Sequence, residues 1–248
     1  LAQALIAALM ALWLVARWGA DGGFEALAII ALASLAVVFL LPDSYGKLPK
    51  PADQSAAGLW RAAPVTALLA IFTFYMFLGA LWAFLEPLGK DAGIAAETVG
   101  LMVSVSLGAQ ILGAILSTAI EARLPFRPVL AVAGLLAAVI ALAIAGRPSA
   151  GTFWVLAMST GFIWLFVVPF QIRLTVDADA ARGAALLVPA AQLFGAALGP
   201  AGAAAFVDTG SAAGGAYFAA ASALASIALV LLNALSRRGA TSTESETA

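Results

Sequence analysis

Apolar residues run along this chain in long, uninterrupted stretches. Eight of them reach or approach the length of a bilayer crossing, at 1–17, 24–41, 63–86, 98–120, 128–146, 152–172, 184–206 and 214–235. A helical crossing needs about 20 mainly apolar residues. Barrel strands would alternate apolar and polar positions over about ten residues. These stretches do not alternate. They are continuous runs of Ala, Leu, Val and Ile, and they predict an all-α, polytopic membrane helix bundle of about eight transmembrane helices.

Polar and helix-breaking residues collect between the stretches. Trp18–Gly23 is a tight glycine-containing turn, and 42–62 is the longest polar connection, with Pro42, Pro49 and Pro51. Such clusters mark loops. Shorter breaks lie at 86–97, 121–128, 173–183 and 208–215. The expected organisation is two helices over 1–41, a linker over 42–62, a six-helix bundle over 63–238 and a small, polar, disordered tail over 239–248. The first stretch reaches only about 25 Å, against about 30 Å of hydrocarbon. It begins without Met and lacks a signal-peptide pattern, so the chain reads as a portion of a longer protein.

Composition narrows the chemistry. Hydrophobic residues are 64% of the chain and charged ones 10%, where soluble domains run at about 45–50% and about 25%. A net charge of −1 leaves no basic footprint for nucleic acid. There is no Cys and no His. Thiolate catalysis, Cys-ligated metal and Ser–His or Cys–His chemistry are therefore excluded. No catalytic residue, cofactor or metal site is expected. Asp177, Asp179 and Asp208 sit at span ends on opposite sides, so a paired-aspartate site is not expected either.

Alternation of eight spans puts the loops into two sets. The set at 42–62, 121–128, 173–183 and the C-terminal tail carries nine of the twelve basic residues; the other carries Arg17, Lys90 and Arg147. Basic loops stay in the cytoplasm. The linker and the C-terminus are thus expected to be cytoplasmic.

A few polar side chains lie within the spans. Thr66 and Thr73 share a face, as do Tyr75 and Trp82. Ser106, Gln110 and Ser117 fall on one side of 98–120. Thr160, Trp164 and Gln171 do the same in 152–172, and Gln192 precedes Gly195 and Gly199. An amide facing lipid would go unsatisfied. Tyr75, Gln110, Trp164, Gln171 and Gln192 are the candidate lining of a substrate pathway, with interhelical hydrogen bonding as the competing explanation. For Ser and Thr, bonding to their own helix is the simpler account. Glu86, at the outer end of its span, is the candidate outer gate or proton site. The small-residue rows Gly100/Ser104/Gly108 and Gly195/Gly199/Ala203 have the spacing of close helix packing. Pro169, Pro189 and Pro200 are expected to kink or loosen their helices.

Three segments carry a resemblance: Glu121-Ala-Arg123-Leu-Pro125-Phe-Arg127, Asp177-Ala-Asp179-Ala-Ala-Arg182-Gly183, and Gly195-x-x-x-Gly199-Pro200. With the linker position and orientation, they make the chain resemble the C-terminal part of a major facilitator superfamily transporter, helices five to twelve. The resemblance implies two six-helix halves in the whole protein. It also implies outer helices at 24–41, 128–146 and 214–235, so that Val132, Leu136 and Val139 face lipid. It implies a cytoplasmic gate built from Glu121, Arg123, Arg127, Arg173, Asp177, Asp179 and Arg182.

The expected function is secondary active transport of a small solute by alternating access, with a proton or sodium ion as the coupling partner. A non-catalytic scaffold or a channel is the alternative, with an integral-membrane enzyme behind both. The expected partners are the lipid bilayer and a small-molecule substrate. The expected location is a cell membrane, such as a bacterial inner membrane. Reporter fusions near Lys47, Arg123 and Arg182 and after Arg238 should all report the cytoplasm. An external signal at any of these points would break the span assignment.

Overall fold

The computed structural model describes residues 60–179 and 182–246, with side chains to 236, and scattered positions between Arg17 and Ala33. Apart from those positions, the stretches at 1–17 and 24–41, and most of the linker, fall outside the described residues. Two compact units divide the chain, Leu1–Ala52 and Asp53–Ala248, and the division lies within 42–62.

The second unit is a helix bundle, with no β-strand among the described residues. Its helices are α1 (Ala62–Asp91), α2 (Ala96–Ile120), α3 (Phe126–Ala145), α4 (Ala150–Phe166), α5 (Val168–Ala178), α6 (Gly183–Leu186), α7 (Val188–Ala204) and α8 (Ala213–Glu246). Five described helical segments are long and apolar enough to cross a membrane: Ala62–Asp91, Ala96–Ile120, Phe126–Ala145, Ala150–Ala178 and Ala213–Ser236. The chain is thus a membrane-type helix bundle.

Two expected spans are interrupted. The span read at 152–172 is α4 followed by α5, with the break at Val167; that read at 184–206 is α6 followed by α7, with the break at Leu187. Each break precedes a proline, Pro169 or Pro189, in the first turn of the next helix. Proline has no N–H to give to the carbonyl four residues back, and its ring crowds that carbonyl. At the first turn of a new helix the missing donor costs nothing. The 17 residues of α7 reach about 25 Å, short of a full crossing. At the other end, α8 extends to Glu246, through residues whose composition suggests disorder. No proline stops it there.

Helix α1 is the centre of the bundle. It buries Ile71, Phe74, Phe77, Leu78, Leu81, Leu85 and Leu88, and it packs closely on both α7 and α8. Its pairing with α8 includes hydrogen bonds across the interface. Ser226 Oγ donates to the Ala70 carbonyl at 2.8 Å. Asn233 Nδ2 donates to the Ala63 carbonyl at 2.7 Å and to Thr66 Oγ1 at 3.2 Å. At the opposite end of α1, the Asp91 carboxylate accepts from the Ala212 N–H at 2.7 Å and from Ser211 Oγ at 3.2 Å. These bonds fix α8 against α1 at both ends.

The other main pairings are α1 with α7, α2 with α4, and α3 with α8. Taking α4–α5 and α6–α7 as one span each gives six spans after residue 60. Exchanging the first three with the last three turns the α1–α7 pair into the α4–α2 pair and leaves the α3–α8 pair in place. Spans so exchanged run in opposite directions, because short turns join successive helices. The α1–α8 pair does not follow the exchange, since its counterpart, α3 with α4–α5, is much less extensive, so the correspondence is partial.

Glycine makes both members of the exchanged pair possible. A Cβ on Gly195 or Gly199 would collide with the carbonyls of Phe72 or Met76 on α1, and one on Gly79 with that of Ala196. In the other pair, a Cβ on Gly113 would strike the Phe162 carbonyl, and one on Gly161 the Ser106 carbonyl. The Gly195/Gly199 row is therefore a packing row, as its spacing suggests. Gly100 and Gly108 meet nothing within 4 Å; α2 instead turns its Ser106/Gly113 side to α4. Helix α3 buries Ala133, Ala137, Ile140 and Ile144, while Val132, Leu136 and Val139 are exposed.

Overpacking a tight site costs about 1–3 kcal/mol. Gly161→Ala and Gly199→Ala should each destabilise the bundle by about that much in reversible unfolding from detergent micelles. Gly108→Ala should be neutral or slightly stabilising, since alanine is the better helix former. Equal effects at all three positions would contradict the packing described.

Candidate functional site

The candidate pathway residues separate into three groups. Gln171, in the first turn of α5, and Gln192, in the first turn of α7, meet directly. Gln192 Nε2 donates to Gln171 Oε1 at 3.3 Å. Gln171 is buried and Gln192 half-buried. Each follows a helix break, Gln171 by four residues and Gln192 by five. The breaks and the amide pair thus lie close together, and the two restarted helices touch through these side chains.

Tyr75 and Trp164 form the second group. Their side chains lie within hydrogen-bonding reach. Trp82 packs edge-on against Trp164, with ring centroids 5.5 Å apart. Tyr75 is near the middle of the 30 residues of α1, and Trp164 is the midpoint of Ala150–Ala178. The amide pair sits about 10 Å further along, since seven residues separate Trp164 from Gln171.

Gln110 stands apart. It lies on the α2 face that carries Ser106, Gly113 and Ser117, and this face packs on α4. It is 5% exposed, and its Nε2 has no hydrogen-bond partner among the described residues. A buried donor without a partner costs about 1–3 kcal/mol. The hydroxyls are otherwise engaged: Thr66, Thr73, Ser106, Ser117, Thr160 and Thr175 all donate to carbonyls of their own helices. Glu86 is exposed and pairs with Lys90 on the same helix at 2.7 Å.

At the end of the bundle marked by the 121–128 loop, the charged residues make specific links. Arg127 Nη2 lies 2.6 Å from Asp177 Oδ2, tying α3 to the end of α5. Arg173 Nη1 donates to the carbonyls of Glu121 and Leu124, the latter at 3.1 Å, and sits 3.6 Å from the Glu121 carboxylate. It thereby serves carbonyls at and beyond the end of α2, which no helical N–H can reach. The Phe126 ring lies between the two guanidiniums, at 4.8 Å from Arg127 and 5.4 Å from Arg173. Asp179 does something else. Its carboxylate accepts from the Ala184 N–H at 2.9 Å and so satisfies the start of α6. Arg182 is exposed, with φ at 60° in the left-handed region. Arg123 is exposed on the loop.

Sequence reasoning missed Asp91, Ser226 and Asn233 as interhelical bonds. Ser226 and Asn233 are seven apart, and that spacing on an apolar helix was the available signal. For Asp91 no local signal exists, because its partners lie about 120 residues away. No family model, curated protein or solved structure matches the chain.

The amides predict different responses to leucine. Gln171→Leu should destabilise the bundle by about 0.6–1.7 kcal/mol, the range for interhelical hydrogen bonds in membranes. Gln110→Leu removes an unbonded donor and should be neutral or stabilising. Unfolding in detergent, followed by far-ultraviolet circular dichroism, measures both. A larger loss at Gln110 would show that its amide has a partner.

Proposed function

We propose that this chain is part of a secondary transporter of the major facilitator kind, moving a small solute by alternating access. In that reading two spans precede the linker and six follow it. The observation that supports it best is the meeting of two proline-broken helices at Gln171 and Gln192. Transporters place substrate between discontinuous helices, because a break frees backbone groups and lets each half move. Here the carbonyls of Leu165 and Ala185 lose their usual helical donors to Pro169 and Pro189. The amide pair adds donors and acceptors beside them.

Tyr75, Trp82 and Trp164 form an aromatic shelf at mid-depth, about 10 Å from the amide pair. Such a site suits a modest solute with an apolar or aromatic body and one or two hydrogen-bonding groups. It offers no fixed charge to an ion. Arg127–Asp177 and the Arg173 contacts join helices at one end of the bundle and act as the gate there. Partly exposed pairs of this type contribute about 0–1 kcal/mol. Breaking them therefore shifts a conformational balance without unfolding the chain. Glu86, exposed and paired with Lys90 on its own helix, stays the candidate outer gate or proton site.

The test uses the protein that carries this chain, reconstituted in vesicles and offered a panel of small aromatic and polar solutes. Saturable uptake is expected for at least one class. Gln171→Leu and Gln192→Leu should lower it at least tenfold, and Val132→Leu should leave it unchanged. The chain has no cysteine, so single cysteines at Tyr75, Gln171 and Gln192 can be probed with an impermeant thiol reagent. The transported solute should slow their labelling. A folded protein without saturable flux for any class would favour a static scaffold and overturn the proposal.

A further inference from the structure

A second feature lies on the outside of the bundle, away from the amide pair. Helices α2, α3 and α4 border an apolar groove of about 1020 Å³, at the upper end of the roughly 300–1,000 Å³ of small-molecule sites. Its floor includes Ala109 and Ala133, and its walls are Leu, Val, Ile, Met and Phe side chains. The one hydroxyl in its lining, on Ser159, donates to the Val155 carbonyl at 2.8 Å. The groove therefore presents no polar group seeking a partner. A polar solute gains nothing there, and a hydrocarbon chain fits.

Its length and its charged end identify the occupant. The lining runs from Ala109 to Ile120 on α2 and from Pro128 to Ile140 on α3, about 16–18 Å at 1.5 Å per residue. One leaflet contributes half of about 30 Å of hydrocarbon. The groove thus spans one leaflet. It opens at Ile120, Leu124, Pro125 and Pro128, on the loop that carries Arg123. At this mouth Arg127 is matched by Asp177 and Arg173 by Glu121. Arg123 is exposed and has no ion-pair partner among the described residues, so it is the surplus positive charge at a lipid-sized slot.

We propose that the groove between α2, α3 and α4 holds one anionic phospholipid of the adjoining leaflet, with its acyl chains along the groove and its phosphate at Arg123. Basic residues at a membrane surface draw anionic lipid, each by about 1 kcal/mol. Arg123 should therefore give an anionic lipid about a fivefold advantage over a zwitterionic one with the same chains.

The test places one cysteine at Val132, on the groove wall, and labels it with bimane. The full chain goes into nanodiscs containing phosphatidylglycerol or phosphatidylcholine with doxyl-labelled acyl chains. Half-maximal quenching should need about fivefold less phosphatidylglycerol. Arg123→Gln should bring the ratio near one, and Arg123→Lys should retain most of it. Both variants should keep the elution volume and circular dichroism of the parent, since Arg123 is exposed. Equal quenching by the two lipids, or a ratio unchanged by Arg123→Gln, would overturn the proposal. So would loss of quenching as protein is increased, together with disulfide formation between unlabelled Val132→Cys copies, because a second copy would then occupy the groove. No arm depends on transport, so failure of the lipid site and failure of the transporter reading remain distinguishable.

Discussion

Backbone contact at glycine is the interaction on which this bundle rests. In hydrocarbon, burying one apolar side chain against another gains little over leaving it in lipid, and association depends on close packing and hydrogen bonds. Gly195 and Gly199 bring α7 against the carbonyls of α1, and Gly113 and Gly161 do the same for α2 and α4. Gly79 shows the principle most clearly. It faces the carbonyl of Ala196, the one that Pro200, four residues on, deprives of its helical donor. A glycine Cα–H directed at that oxygen is worth about 0.5–1 kcal/mol. This explains why Pro200 does not interrupt α7, whereas Pro169 and Pro189 coincide with breaks.

The two tight pairs leave the broken helices between them. Helix α4 is held by α2, and α7 by α1, while the restarted α5 rests on α1 and α3. Gln171, buried, and Gln192, half-buried, lie on the two restarted helices. A polar pair placed where backbone continuity is lost has a physical logic. An unbroken helix satisfies its own carbonyls and offers a solute nothing, while a break exposes acceptors that water, solute or an amide must serve. Gln110 occupies the opposite circumstance. It lies within a tight interface, beside helices that satisfy themselves, and its nitrogen is left without a bond among the described residues.

The long apolar runs were legible in the sequence because bilayer thickness and helix rise admit few alternatives. Ala96–Ile120 and Phe126–Ala145 fall within two residues of their expected edges. The breaks at Val167 and Leu187 were only half legible. Pro169 and Pro189 marked a disturbance, but Pro87 and Pro200 look the same in sequence and sit inside continuous helices. For Pro200 the difference is the neighbouring helix, where Gly79 faces the Ala196 carbonyl; Pro87 and Ala83 are exposed. The same limit applies to the small-residue rows: Gly100/Ser104/Gly108 and Gly195/Gly199/Ala203 share a spacing, and only the second meets a partner. Spacing defines a face and leaves open which helix covers it. Among the site residues, the pairing of Gln171 with Gln192 follows from the path of two spans. The roles of Arg173 and Asp179 as donor and acceptor to helix ends follow from loop geometry that no residue pattern specifies.

Helix α5 joins these features mechanically. It is only 11 residues long, it begins at the Val167 break, and Gln171 and Arg173 are two positions apart on it. One side chain reaches α7, and the other holds the carbonyls of Glu121 and Leu124. Residues two apart on a helix point in well-separated directions. A rotation of α5 about the break would therefore carry the amide pair and the 121–128 loop together. Asp177 adds a third tie, from the end of the same helix to Arg127 on α3. A short segment hinged at one end and fixed at three points can transmit a small displacement, where a continuous 29-residue helix would absorb it by bending. The loop it would move is the one that carries Arg123. Were a solute bound at Gln171 and Gln192 and a lipid phosphate at the groove mouth, as proposed, both would bear on α5. Binding at either place would then alter affinity at the other by an equal factor, as linkage requires.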